Sequence, residues 1–235
     1  MSIFASEYIN LNKIQMIKLI IFDLDGTLLN TLEDLAVSTN HALAQNGFPQ
    51  HELSEYRYFV GNGITKLTER ALPEDQRSEE TIMKVRQDFV NYYSEHNMDR
   101  TKPYPGIPEL IEQLKAQKIS MAVASNKYQA ATAKLIAHYF ADGTFTTVYG
   151  QRDNVPAKPD PTVVYNILEE TGYTREETLY IGDSSVDMRT AANSGLRSVA
   201  VTWGFRPRQE LEENGAVYII DHPEQLLEII ETLNR

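Results

Sequence analysis

The apolar run Leu19-Ile20-Ile21-Phe22 leads directly into Asp23-Leu24-Asp25-Gly26-Thr27. Four consecutive apolar residues describe a buried strand, and Gly26 permits a sharp exit from it. Two carboxylates are thereby held at the carboxyl edge of a strand, where open α/β sheets bind their ligands. Acids placed there are unfavourable unless something cationic sits beside them.

Downstream of the acids the period changes. Leu32, Leu35, Ala36, Thr39 and Leu43 repeat at helical spacing until Gly47 and Pro49 stop the helix. The pattern predicts a second helix over Glu52 to Val60 and a free turn at Gly61-Asn62-Gly63. A third helix follows through Ile64, Leu67 and Leu72, and a fourth has Ile82, Val85, Phe89 and Tyr92 on one face. No strand is expected between Asn30 and Asp99. From Pro108 onward helix and strand alternate: helix Pro108 to Gln117, strand Ile119 to Ala124, helix Tyr128 to His138, strand Phe145 to Tyr149. A helix opened by Asp160-Pro161 runs through Glu170, followed by strand Thr178 to Ile181, helix Ser185 to Asn193 and strand Ser198 to Thr202. Ala216 to Ile220 and Pro223 to Leu233 complete the series. Such alternation predicts a parallel sheet with crossover helices, interrupted early by a helical insert.

Three later segments carry chemistry that matches the first. Ser125-Asn126-Lys127 follows an apolar strand, so a hydroxyl there is placed to meet a phosphate oxygen; a helix cap is the structural alternative. Lys158 lies between prolines in Val155-Pro156-Ala157-Lys158-Pro159-Asp160-Pro161, which limits the backbone freedom lost in holding an ammonium beside carboxylates. Gly182-Asp183-Ser184-Ser185-Val186-Asp187 follows Leu179-Tyr180-Ile181, putting Asp183 at another strand tip. A helix starting near Ser184 turns Asp187 back towards the same place. Acids at two strand ends, with a hydroxyl and a lysine at others, suit phosphoryl transfer: Asp23 to coordinate a cation and attack, Asp25 to serve as acid and then base. Oxygen-only ligands without a Cys or His cluster favour Mg2+.

Composition removes other classes. The 235 residues, 42% hydrophobic, suffice for one core and a smaller satellite domain. Thirty-three acidic against 22 basic residues give a net charge of −11, which argues against nucleic-acid or anionic-membrane partners. The chain has no cysteine, hence no disulfides and no thiol nucleophile, and a cytoplasmic location is the default. No stretch approaches the roughly 18 apolar residues of a membrane span. Residues Met1 to Gln15 lack a basic start leading into an apolar run, so they read as an N-terminal extension rather than a signal peptide.

Taken together, these motifs resemble those of the haloacid dehalogenase superfamily: Asp23-Leu24-Asp25-Gly26-Thr27, Ser125, Lys158, and Gly182-Asp183 through Asp187, in the family's order. The whole chain from Met16 resembles its phosphoglycolate phosphatase group. The resemblance implies a Rossmannoid α/β core over residues 16–29 and 100–235 and a four-helix-type cap over 30–99. It implies Asp23 as nucleophile, and Asp25 as acid and base, giving its backbone carbonyl to Mg2+. Thr27 would support Asp25 or the pocket backbone, and Asp23, Thr27, Ser125, Asn126 and Lys158 would hold the phosphoryl group. Asp183 and, directly or through water, Asp187 would bind the metal. Gly61, Asn62, Gly63 and Ile64 of the cap, with Lys127 and Arg206 of the core, are expected at the substrate's other end. Leu28 to Asp34 and Lys102-Pro103-Tyr104-Pro105-Gly106 resemble the family's two domain junctions.

The implied partner is a small phosphorylated metabolite, 2-phosphoglycolate first. Alternatives are a sugar phosphate, nucleotide or pyrophosphate substrate, a phosphosugar mutase, and a non-catalytic phospho-ligand sensor. Monomer and homodimer are not distinguished. The four acids outnumber Mg2+ and Lys158 in charge, so one carboxyl group is expected to protonate easily, and Asp25 is the expected one.

Overall fold

The computed structural model describes residues 16–235, so the extension expected over residues 1–15 lies outside the described residues. The first strand, β1 (Leu19–Phe22), has all four side chains buried. Ile20 and Phe22 enter one apolar cluster and Leu19 and Ile21 another. Coverage on both faces is why the run is continuously apolar rather than alternating. After β1 come β2 (Leu29–Asn30) and helices α1 (Leu32–Gln45), α2 (Leu53–Phe59), α3 (Ile64–Ala71) and α4 (Glu79–His96). Then follow β3 (Lys102–Pro103), α5 (Ile107–Ala116), β4 (Ser120–Tyr128), α6 (Gln129–Tyr139), β5 (Thr147–Gln151) and α7 (Thr162–Thr171). β6 (Thr178–Gly182), α8 (Ser185–Ser194), β7 (Arg197–Val201), α9 (Arg208–Glu213), β8 (Tyr218–Ile220) and α10 (Gln225–Leu233) complete the chain.

Six strands form one parallel sheet in the order β5-β4-β1-β6-β7-β8. From β1 the chain adds β4 and β5 on one side, then crosses to build β6, β7 and β8 on the other. The order reverses beside β1, where diverging connections leave a crevice. Phe22 is level with Val123 on one neighbour and Ile181 on the other. Asp23 and Asp183 therefore leave the sheet at the same edge, and Ser125 stands at that level of β4. This is the expected Rossmannoid α/β core with a helical cap inserted after the first strand.

Helices α1 to α4 share a separate apolar cluster built on Leu35, Leu43, Tyr56, Leu67, Val85, Phe89 and Tyr93. Phe205 and Ala131 of the sheet-bearing part join that cluster, so the cap leans on the core through apolar contact. Local capping agrees with the helix starts: Ser78 accepts the Thr81 N–H at α4, and Glu52 and Glu55 form a reciprocal box at α2. Among the described residues no helix is long and apolar enough to cross a membrane.

Several expectations are corrected. Tyr92 is not on the buried face of α4; it stacks between His41 and His96 at 4.0 and 4.1 Å, and Tyr93 is buried in its stead. Ser125, Asn126 and Lys127 belong to β4 itself, and α6 begins only at Gln129, so Ser125 caps no helix. β5 lies two residues later than expected, over Thr147–Gln151, and α9 is an unforeseen helix too short and polar for a periodic signal. The antiparallel β2–β3 pair was also missed, since two residues carry no alternation.

Asp34 ties the two chain crossings into one junction. Its buried carboxylate accepts from the Arg100 N–H at 3.0 Å, the Thr101 N–H at 2.8 Å and the Thr101 hydroxyl at 2.7 Å. Replacing it leaves buried amides unpaired, which costs roughly 1–3 kcal/mol for each group so stranded. Asp34→Ala is expected to lose about 3 kcal/mol in urea unfolding, and Asp34→Asn less, since it keeps an acceptor.

Candidate active site

Four carboxylates and two lysines converge at the carboxyl edge of β1, β4 and β6. Asp23, Asp183 and Asp187 each offer an oxygen within 4.8 Å of the others, and all three are buried. Asp187 reaches them from the first turn of α8, where it completes a capping box: its Oδ2 accepts from the Ser184 hydroxyl at 2.6 Å and from the Ser184 N–H at 3.2 Å. Asp183 is fixed by the Phe205 N–H, which donates to Oδ2 at 2.7 Å, and by the Thr27 hydroxyl at 3.3 Å. Close approach of three chain segments makes this possible. A Cβ on Gly26 or Gly204 would overlap the Asp183 side chain, and one on Gly182 would overlap Asp187.

Lys158 lies beneath the acids. Its Nζ is 2.7 Å from Asp187 Oδ1 and 2.9 Å from Asp23 Oδ1, and it donates to the Ala124 carbonyl and the Tyr180 hydroxyl. The contact with Asp23 is a charge contact without hydrogen-bond alignment, so among the described residues Asp23 Oδ1 is buried without an aligned hydrogen-bond donor. Burial first, and then the charge of Asp187, raise the Asp23 carboxyl to about 7 against the pull of Lys158. Asp183 is raised well above the ordinary carboxylate range by burial, Asp187 and Asp23. Burial pushes the Lys158 ammonium down, but Asp187 and Asp23 outweigh it and its pKa is raised well above normal. A cation beside the three acids removes this mismatch.

The divalent cation that the cluster suits is Mg2+. Every donor is a carboxylate, none is His or Cys, and one oxygen is buried without a hydrogen bond.

Burial and like charge together raise Asp23 and Asp183. Asp25 is paired: Lys127 Nζ lies 3.0 and 3.1 Å from its two oxygens, and the Thr31 hydroxyl donates to Oδ1 at 2.7 Å. Lys127 supplies the positive charge that the sequence count lacked, and its ammonium sits 4.8 Å above the Tyr93 ring of α4.

The remaining expected residues divide by location. Asp23, Asp25, Ser125, Asn126, Lys127, Asp183, Gly61, Gly63, Ile64 and Arg206 line one cleft between cap and core. The Ser125 oxygen accepts the Lys127 N–H at 3.2 Å, leaving its own proton free for a ligand. Asn126 is at the cleft, yet its side chain is committed: it donates to the Gly61 and Lys158 carbonyls and accepts the Lys158 N–H. Thr27 has no exposure, and its hydroxyl is turned to Asp183 rather than to Asp25 or an incoming phosphate. Asn62 points away and accepts from Arg70 at 2.7 Å. Lys158 forms the floor rather than the lining. Thr31, Tyr93, Tyr180 and the Phe205 amide were missed; of these, Tyr93 alone carried a signal, at four residues from Phe89.

The arrangement defines a class: an α/β protein with an acid cluster at a topological switch point beneath a helical cap. The sequence model of the haloacid dehalogenase-like hydrolases matches residues 20–201. The phosphoglycolate phosphatase of Mesorhizobium japonicum is 32% identical, over 92% of this chain and 96% of that protein. That of Haemophilus influenzae (strain Rd) is also 32% identical, over 91% of this chain and 98% of its own length. A crystal structure described as a candidate phosphoglycolate phosphatase, from Lactobacillus delbrueckii subsp. bulgaricus, superposes with a TM-score of 0.87 at 32% identity. It covers 92% of this chain and 98% of that one. The chain belongs to the haloacid dehalogenase-like hydrolases.

The raised carboxyl groups set the direction of a pH effect. Asp23 titrates near 7 when folded against about 3.8 unfolded, so the folded state holds the extra proton between those values. Stability from this group is therefore present at low pH and lost as pH rises towards 7. Mg2+ competes with that proton, so its stabilisation is expected to grow from pH 5 to pH 7.5. At Mg2+ about 100-fold above Kd the gain is about 2.7 kcal/mol, roughly 5–10 °C in Tm for a chain of this size. Melting curves with Mg2+ or a chelator would show it; a pH-independent gain would contradict the assignment. In Gly204→Ala the Mg2+-dependent gain is expected to disappear.

Proposed function

We propose that the chain is a Mg2+-dependent phosphomonoester hydrolase acting through an aspartyl phosphate on a small phosphorylated metabolite, with 2-phosphoglycolate as its substrate. The observation that carries this reading is the pairing of two differently treated acids on one strand end. Asp23 is buried in the acid cluster without an aligned donor, whereas Asp25, two residues on, is held at the cleft by Lys127 and Thr31. One is placed to attack and the other to exchange a proton. The phosphoglycolate phosphatases above, alike over nearly their whole length, support the substrate.

In the proposed reaction a carboxylate oxygen of Asp23 attacks phosphorus in line with the ester oxygen, and the P–O bond to the leaving group breaks. Asp25 gives its proton to the departing alkoxide. Water then attacks the aspartyl phosphate, Asp25 takes the proton, and the bond between phosphorus and Asp23 breaks to release phosphate. Asp23 and Asp183 would hold Mg2+, which would supply charge neutralisation for the phosphoryl oxygens. Asp187, with both oxygens bonded inside the protein, acts mainly by fixing Lys158, whose ammonium lies 2.9 Å from the Asp23 oxygen as a charge contact. The free Ser125 proton binds a phosphoryl oxygen. Residues 30–99 act as the closing cap, with Gly61, Gly63 and Ile64 meeting the substrate's body. Its wall of Leu35, Val60, Ile64, Leu67 and Phe89 offers little to the hydroxyls of a sugar, which favours a short substrate. Having no cysteine, the chain is indifferent to the redox state of its setting, and the cytoplasm is proposed as the default.

Phosphate release from 2-phosphoglycolate, hexose phosphates, a nucleoside monophosphate and pyrophosphate tests this, with and without Mg2+. The expected result is Mg2+-dependent release led in kcat/KM by 2-phosphoglycolate, and lost by about 10³-fold or more in Asp23→Asn. A hexose phosphate in first place would remove the substrate and leave the chemistry.

A further inference from the structure

Among the described residues two cationic side chains line the cleft, Lys127 and Arg206. Lys127 is already matched by both oxygens of Asp25. Arg206 is only partly matched. Its Nη2 donates to the Val60 carbonyl of the cap at 2.8 Å, and its Nε is 3.4 Å from Glu210 Oε1. Among the described residues its Nη1 is buried without a hydrogen-bond partner. A guanidinium donor withdrawn from water with no acceptor is unfavourable, and the fork cannot be relieved by losing a proton.

The surroundings add to the imbalance. Arg70 grips the same cap segment, donating to the Phe59 carbonyl at 2.9 Å and to Asn62 at 2.7 Å. Burial and the nearby charge of Arg206 both lower its pKa, a sign that two cations crowd one loop. Glu210, the one acid paired with Arg206, also accepts the Ser185 N–H. Position is fixed from the other side: Arg206 follows Phe205, whose N–H anchors Asp183. The guanidinium thus stands at a set place relative to the acid cluster, on the cleft wall.

We propose that Arg206 is the specificity residue that reads a carboxylate at the non-phosphoryl end of the substrate. The inference rests on the phosphoglycolate reading above and gives it a residue. Nη2 has a second proton after bonding Val60, so Nη1 and Nη2 present two N–H groups to one carboxylate. The same contact joins the substrate to the cap loop, since Val60 and the substrate share one guanidinium. A neutral hydroxyl in that position would leave the fork unmatched.

The test compares 2-phosphoglycolate with 2-hydroxyethyl phosphate, which replaces the carboxylate by a neutral CH2OH. Wild type, Arg206→Ala and Arg206→Lys are assayed with both, and Mg2+-dependent melting is followed in parallel. Wild type is expected to prefer the carboxylated ester, and Arg206→Ala to reduce that preference by about 10- to 100-fold, mainly through KM. Arg206→Lys, which keeps the charge without the fork, is expected to fall between them. Equal losses on both esters would overturn the proposal, reducing Arg206 to a latch between cap and core while the phosphatase reading stood. Loss of Mg2+-dependent stabilisation in Arg206→Ala would do the same, by assigning the effect to Asp183. A wild type without preference between the two esters would overturn the carboxylate subsite and the choice of substrate together. Turnover of neither ester would overturn the reading of the site as well.

Discussion

The contact between Lys158 and the two acids it serves, Asp187 at 2.7 Å and Asp23 at 2.9 Å, governs the rest of the site. Carboxylates from β1 and α8 would otherwise repel one another in a water-poor crevice. One ammonium between them holds both at the same strand edge. Removing it would strand buried like charges, the circumstance in which breaking an ion pair is most damaging. The lysine is itself held by the Ala124 carbonyl and the Tyr180 hydroxyl, so β4 and β6 both share in placing it. The parallel register of β4, β1 and β6 is therefore part of the chemistry and not only its scaffold.

A second layer of organisation joins cap to core by polar contacts at the cleft mouth. Asn126 bonds Gly61 of the cap and Lys158 of the core at once, and Arg206 bonds Val60. Tyr93 reaches from α4 to place its ring against Lys127. The cap thus reaches Lys127, the partner of Asp25, through Tyr93, and the backbone of Lys158 through Asn126. At the base, Asp34 ties the two crossings together.

What could be read from the chain alone was what local physics imposes. The run Leu19–Phe22 had to be a buried strand, and acids directly after it had to face a cation or a base. The parallel alternation followed from period and punctuation, and with it the strand ends that carry Asp23, Ser125 and Asp183. Residues whose role lies in one contact across the fold were illegible. Thr27 serves Asp183, 156 positions away, and Asn126 ties Gly61 to Lys158; neither has a period or a neighbour that announces it. Tyr180 looked like one more apolar residue in a strand.

Lys127 shows the division most clearly. Its sequence neighbours placed it near the cleft, as a charge free to meet substrate. Only the tertiary structure gave it Asp25 on one side and Tyr93 on the other, from segments far apart in the chain. The sequence determined which chemical groups reach the sheet edge, because strand and helix periods act over a few residues. The tertiary structure decided which of those groups neutralise one another and which remain free for a ligand, because Coulombic pairing depends on distances that only the packed fold sets.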